Sequence, residues 1–196
     1  MLALILGIAG FGLFLLYDIN SYAWKNRLLQ FGFLIGVILI AAATLMEGVA
    51  AWRAGAFSGT ADVVLLLLSV LALACMIYCL FFALPFQDTY AKPENGRRVY
   101  TFGVYALCRH PGVPCFFLMY LFLGLAALPT QLLGHGMVFS LLNVGYAWFQ
   151  DRVTFPKTFC DYESYYSKAP FMIPTKNSIR RAIQTWGCPY KKEEEL

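Results

Sequence analysis

The sequence is short of charge. Only 13% of its 196 residues are Asp, Glu, Lys or Arg, while 60% are hydrophobic. A soluble globular domain carries about 25% charged residues, so a water-facing globule is excluded. Histidine is scarce, with two copies. His110 and His135 fall at opposite ends of the predicted spans, and no other ligand cluster appears, so no metal site is expected. The six cysteines show no C-x-x-C spacing. There is no internal repeat and no low-complexity tract. The net charge of +4 comes from a one-sided distribution of Lys and Arg and does not point to nucleic acid.

What the chain has instead is long uncharged runs. A bilayer is crossed by about 17–25 apolar residues in helix. Five such runs are read at 1–17, 28–46, 63–86, 113–129 and 132–149. The first run lacks a basic start, and "LLYDINSYAWK" has no small-residue cleavage site, so it reads as a retained span. Pro129-Thr130-Gln131 is too short for anything but a tight turn between the last two spans. The expected fold is all-α, a polytopic membrane protein with five transmembrane helices.

Basic residues set the expected orientation. With the N-terminus outside, fourteen of the fifteen Lys and Arg fall on the inner side and Arg53 alone falls outside. By the positive-inside rule the C-terminus is then cytoplasmic. No cysteine falls in the predicted outer loops, so Cys75, Cys79, Cys108, Cys115, Cys160 and Cys188 are expected as reduced thiols.

Polar chemistry gathers at the predicted inner face. In "GVYALCRHPGVP" (residues 103–114), Pro111 biases His110 toward extended backbone. Pro114 suits the first turn of the next helix. Two readings stand: Arg109 reaches headgroups and His110 is a surface residue, or both line a site. Asn143, Tyr146 and Gln150 share a helical stripe, with Asp151 beside it. They either bond between helices or face a cavity. Tyr162, Tyr165 and Tyr166 form an interfacial belt or a lid. His135 reads as structural and remote from other polar groups, and Glu47 as an interface residue.

These residues carry a resemblance. Gly103-x-Tyr105-x-x-x-Arg109-His110-Pro111 resembles the signature of the isoprenylcysteine carboxyl methyltransferase-like family, grouped with the phospholipid methyltransferases. Tyr162, Tyr165, Pro170 and Pro174 keep that family's Y-x-x-Y-x-x-x-x-P-x-x-x-P spacing. The similarity spans about residues 97–174. It implies methyl transfer from S-adenosylmethionine to a lipid-like amphiphilic acceptor at the cytoplasmic membrane face. It also implies cofactor contacts from Arg98, Val99, Tyr100, Tyr105, His110, Pro111 and Gln150, with Tyr146, Asp151 and Arg109 at the chemical end. Five departures stand out, one of them Thr158-Phe159 in place of a family Phe-Gly. Val113 replaces a family Tyr, and Cys115 a family Gly. Tyr146 replaces an Arg, and Gln150-Asp151 replaces a Glu-Glu pair.

Physical chemistry fits the same cofactor. S-adenosylmethionine carries a sulfonium, a carboxylate and an adenine ring. Tyr100, Tyr105 and Tyr146 offer aromatic faces to the cation or ring, and either the free N–H groups of the helix start near His110 or Arg98 offers a partner to the carboxylate. Two other readings remain open: an NADPH-dependent sterol- or steroid-reductase-like enzyme, and a non-catalytic lipid-binding relative. Residues 1–174 read as one membrane-embedded domain. Residues 175–196 read as an interfacial amphipathic helix and charged tail. Asn177 or Ser178 would cap that helix, Ile179, Ala182, Ile183 and Trp186 would form its apolar stripe, and Gly187 would stop it.

Overall fold

A computed structural model describes residues 1–83 and 97–186. The expectations placed on 84–86, Lys92, Gly187, Cys188, Pro189 and the charged end lie outside the described residues. Within lipid a chain must satisfy its backbone hydrogen bonds internally, and the described residues are accordingly helical. The helices are α1 (Leu2–Ile19), α2 (Gly32–Arg53), α3 (Thr60–Ile77), α4 (Val104–Leu107), α5 (Gly112–Ala126), α6 (Leu132–Phe149), α7 (Phe155–Thr158), α8 (Tyr162–Lys168) and α9 (Lys176–Thr185). Wider π turns extend three of them, at Asn20–Trp24, Tyr78–Phe82 and Gln150–Thr154.

Four continuous helical stretches are long and apolar enough to cross a membrane: Leu2–Trp24, Leu29–Arg53, Thr60–Phe82 and Leu132–Thr158. This is the architecture of a polytopic helical membrane protein. Their outer faces stay apolar, with Leu45 69% exposed and Leu141 71% exposed, as a lipid-facing surface requires. The apolar helix α5 is shorter, at fifteen residues. It reaches about 22 Å, against a hydrocarbon core of about 30 Å.

The chain divides into two compact units, Met1–Leu73 with Phe116–Thr154, and Ala74–Cys115 with Phe155–Leu196. The boundary read from sequence at 174 falls inside the second unit.

The first unit is built on close helix contacts. A Cβ on Gly10 would lie 2.8 Å from the Gly36 carbonyl oxygen, and one on Gly36 would lie 2.7 Å from that of Gly10. α1 and α2 therefore meet backbone to backbone, the packing mode available where lipid supplies no hydrophobic drive. α5 and α6 form the expected hairpin. Gly124 rests against Leu133, and Gly136 against the Tyr120 ring. Buried hydroxyls add links: Ser69 Oγ donates to the Met119 carbonyl at 2.9 Å, and the Thr44 and Tyr120 hydroxyls bond to each other.

One expectation is corrected here. His135 is not remote from other polar groups, because its Nδ1 lies 2.8 Å from Glu47 Oε1, both side chains mostly buried. The pair joins α2 to α6 across 88 positions, a distance at which sequence spacing carries no signal.

The second unit is held by a small aromatic core. Val99, Tyr162, Tyr165 and Ala169 are buried together, with Phe155 and Phe159 packed on them. Arg97 and Phe159 form an isolated parallel bridge. α9 forms where an amphipathic helix was expected, but its cap is Thr175 rather than Asn177 or Ser178. The Thr175 hydroxyl accepts the Ser178 N–H at 3.2 Å, and Ser178 Oγ accepts the Thr175 N–H at 2.8 Å. This reciprocal capping box satisfies two otherwise orphaned donors, so Ser178 sits one turn inside the helix.

Candidate functional site

The two motif segments of the second unit are bound to each other. Gly103 opens α4 at φ +57°, backbone that only glycine adopts without strain. Its N–H donates to Thr185 Oγ1 at 3.1 Å, so the end of α9 is joined to the first residue of the motif. α4 then ends at Cys108 in extended backbone. The Arg109 N–H donates to the Pro170 carbonyl at 2.9 Å, and the His110 N–H to the Phe171 carbonyl at 3.2 Å.

Side chains complete this seam. Buried Arg109 donates to the carbonyls of Tyr166, at 2.9 Å, and Ala169. Its guanidinium lies 4.1 Å from the Tyr166 ring centroid, a cation–π contact. The His110 ring is buried, stacked on Phe155 at 5.6 Å and edge-on to Phe171 at 5.1 Å. Pro111 is buried beside it in sequence. The Tyr105 hydroxyl donates to the Cys79 carbonyl at 2.8 Å, and the Tyr105 carbonyl accepts the Tyr165 hydroxyl at 2.8 Å. Val99 is buried, and its N–H donates to Asp161 Oδ1 at 2.9 Å. Tyr100, two positions along from exposed Arg98, stands edge to face with Tyr105 at 6.1 Å.

Burial also sets the chemistry of two groups here. It pushes the Cys108 thiol up to about 11 and the Tyr165 hydroxyl well above its ordinary range. Both stay neutral near pH 7. The helix start expected beside His110 is partly occupied, because the Val113 N–H donates to the His110 carbonyl at 3.1 Å.

The first unit holds a separate polar cluster. Gln150 Nε2 donates to the Tyr146 hydroxyl at 2.9 Å, which joins two residues of the stripe read from sequence. The Tyr146 ring lies 5.4 Å from that of Phe14. Asp151 and Thr154 are both buried within the π turn that follows α6. Asp18 is the residue that sequence reasoning missed. It is 4% exposed. Its side chain interacts with those of Gln150, Tyr146 and Thr154, while its Oδ2 has no hydrogen-bond partner.

The first span was read as ending at 17, which put Asp18 in a loop. In the structure α1 continues to Ile19 and a π turn carries it to Trp24. Asn20 then fastens the end, accepting the Asn26 N–H at 2.7 Å and donating to the Asn26 carbonyl at 2.9 Å. An acid closing an apolar run was the available signal, since ionisable residues at membrane depth are costly unless they have a role.

The cysteines among the described residues, Cys75, Cys79, Cys108, Cys115 and Cys160, are free thiols. No group of three or more potential metal ligands occurs among the described residues. Comparison of the chain with family models, curated proteins and solved structures found no match in any of the three.

Proposed function

We propose that the protein is a membrane-embedded methyltransferase that moves a methyl group from S-adenosylmethionine to a lipid-like amphiphilic acceptor at the cytoplasmic membrane face. The observation that carries this reading is the joining of its two sequence motifs. The R-H-P segment and the tyrosine-proline tail resembled one family in sequence, and they are hydrogen-bonded to each other through Arg109, His110 and Tyr105.

The residues fit the cofactor's chemistry. Tyr100 and Tyr105 present aromatic faces suited to a sulfonium or an adenine ring. Arg98 is exposed and suited to a carboxylate. His110 and Pro111 give a buried wall, with Val99 fixed by Asp161. When bound, S-adenosylmethionine supplies an electrophilic methyl that needs little activation. The chain's own work is to orient the acceptor and exclude water, which is proximity catalysis. Arg109 keeps the tail against the motif. Gln150, as a further cofactor contact, and Tyr146 and Asp151, at the chemical end, enter the proposal through the sequence resemblance. Asp151 would serve as a base only for an acceptor that arrives protonated.

In this reading the chain spans the membrane five times, with α5 as a short fourth span, the N-terminus outside and the C-terminus cytoplasmic. The basic residues support that orientation. A second reading, a non-catalytic lipid-binding relative, is favoured by one observation. Tyr146 and Gln150, which replace a family Arg and Glu, are hydrogen-bonded to each other.

Isothermal titration of the detergent-purified full chain with S-adenosylmethionine, S-adenosylhomocysteine and NADPH separates the readings. Binding of the first two and not the third is expected. Binding of NADPH alone would favour a reductase-like enzyme. Silence toward all three would leave the lipid-binding relative.

A further inference from the structure

α9 sorts its side chains onto two faces. Ser178 and Ala182 are turned inward and buried. Thr185, on the same face, accepts the Gly103 N–H at 3.1 Å. These three stand at i, i+4 and i+7, a single helical stripe. The other face carries Lys176, Ile179, Arg180 and Ile183 at i, i+3, i+4 and i+7. Trp186 closes the helix on that side, three positions beyond Ile183. All five are exposed, Ile183 by 72% and Trp186 by 61%. The apolar stripe expected from sequence included Ala182. The structure buries Ala182, and the outward face is apolar and basic together. Arg181 lies off that face, its guanidinium donating to the Lys168 carbonyl.

Two properties of this face choose its partner. The first is its charge. Lys176 and Arg180 sit within reach of the isoleucines, and α9 contains no acidic residue. Ile173, just before the helix, adds exposed apolar surface. The acidic leaflet of a bilayer offers the matching layers, hydrocarbon beneath phosphate. The second property is that the helix is already built. The Thr175–Ser178 capping box starts it and the bond to Gly103 holds its end. A ten-residue helix is marginal alone in water, so a partner that met it unfolded would have to order it. Lipid meets this face preformed and bears no such cost.

We infer that the outward face of α9 is a docking surface for the acidic leaflet of a lipid bilayer. Ile179, Ile183 and Trp186 enter the interface, with the indole at headgroup depth. Lys176 and Arg180 lay their stems along the apolar edge and keep their charges among the phosphates. Because Thr185 holds the Gly103 N–H, a seated α9 brings the start of the motif to the lipid surface with it. The inference does not depend on the methyltransferase reading.

The test uses the full chain in nanodiscs of phosphatidylcholine, with and without phosphatidylglycerol. The lipids carry bromine on the acyl chains near the headgroup, where it quenches an indole by contact. The chain has four tryptophans, so the share due to Trp186 is the difference between the parent and Trp186→Phe. That share should be quenched by the brominated lipid and shielded from acrylamide in the water. Phosphatidylglycerol should increase both effects, and added salt should reverse the increase. Lys176→Gln should lower the ratio of seated to free helix in phosphatidylglycerol about fivefold, as should Arg180→Gln, the size expected for one basic residue at an anionic surface. Both side chains are exposed, so these variants test charge without threatening the fold. Ile183→Ser should weaken seating in both lipids. A Trp186 quenched by acrylamide and untouched by the brominated lipid would overturn the inference. Equal seating with and without phosphatidylglycerol would overturn it too, as would an unaltered response to phosphatidylglycerol in both charge variants.

Discussion

The Tyr165 hydroxyl donates to the main-chain carbonyl of Tyr105 at 2.8 Å, across 60 positions. Through this bond the tail holds the helix that follows Gly103 from a buried position. Tyr165→Phe keeps the ring and removes the donor. It should cost about 1 kcal/mol of stability, or about 1–3 kcal/mol if the Tyr105 carbonyl finds no other partner. Thermal unfolding in detergent measures this directly. An unchanged midpoint would mean that the seam does not depend on this bond.

Arg109→Lys keeps the positive charge and loses the fork. Lysine cannot both stack on the Tyr166 ring and bridge the Tyr166 and Ala169 carbonyls. A loss of about 1–3 kcal/mol is expected, with faster proteolysis in 159–174. If Arg109→Lys were as stable as the parent, charge alone would account for the residue.

His110→Ala should weaken S-adenosylhomocysteine binding by about 1–3 kcal/mol if the ring borders the cofactor. The ring is buried against Phe155 and Phe171, so the variant's thermal midpoint must be recorded beside its affinity. A folded variant with parental affinity would make His110 a packing residue of the seam.

Asp18 calls for a pair of variants. Asp18→Asn keeps the shape and removes a buried charge, so stability should hold or rise. Asp18→Ala strips Gln150, Tyr146 and Thr154 of a shared partner and should cost about 1–3 kcal/mol. Equal losses in both variants would show that the carboxylate itself is required.

The Cys108 thiol gives a pH test. Burial raises it from about 9 to about 11 in the folded chain. Between those values the unfolded chain releases the proton while the native chain keeps it. This site's contribution to stability therefore falls as pH rises from about 9 to 11. At pH 8 a maleimide should modify exposed Cys160 and spare buried Cys108. Cys160 should be reached from the cytoplasmic side only. Labelling from outside intact cells would reverse the orientation.

The long helices were legible because lipid leaves the backbone few options and the apolar runs mark them. The paired spacings around Arg109 and Tyr165 singled out the residues of the motif seam, but not the bonds that join them. Other features were not legible. The Glu47–His135 pair joins positions with no periodic relation. Asp18 was assigned to a loop because apolarity stops at Tyr17, while the helix continues through Ile19 on backbone bonds that composition does not report. The cap at Thr175 was missed because Asn177 and Ser178 are equally good cap residues by type. The choice among them was made by the reciprocal bonds between Thr175 and Ser178.

The crossing of α1 and α2 at Gly10 and Gly36 has a consequence for how the chain enters its solvent. Two helices that touch through main-chain atoms leave no gap at that level for an acyl chain. To the bilayer they present one broad wall with a single seam. Such a unit can close as soon as its second strut emerges, before the later helices are made. An alanine at either glycine would force the wall open by the width of a methyl group and admit lipid along the seam, so the defect would be one of assembly rather than of chemistry.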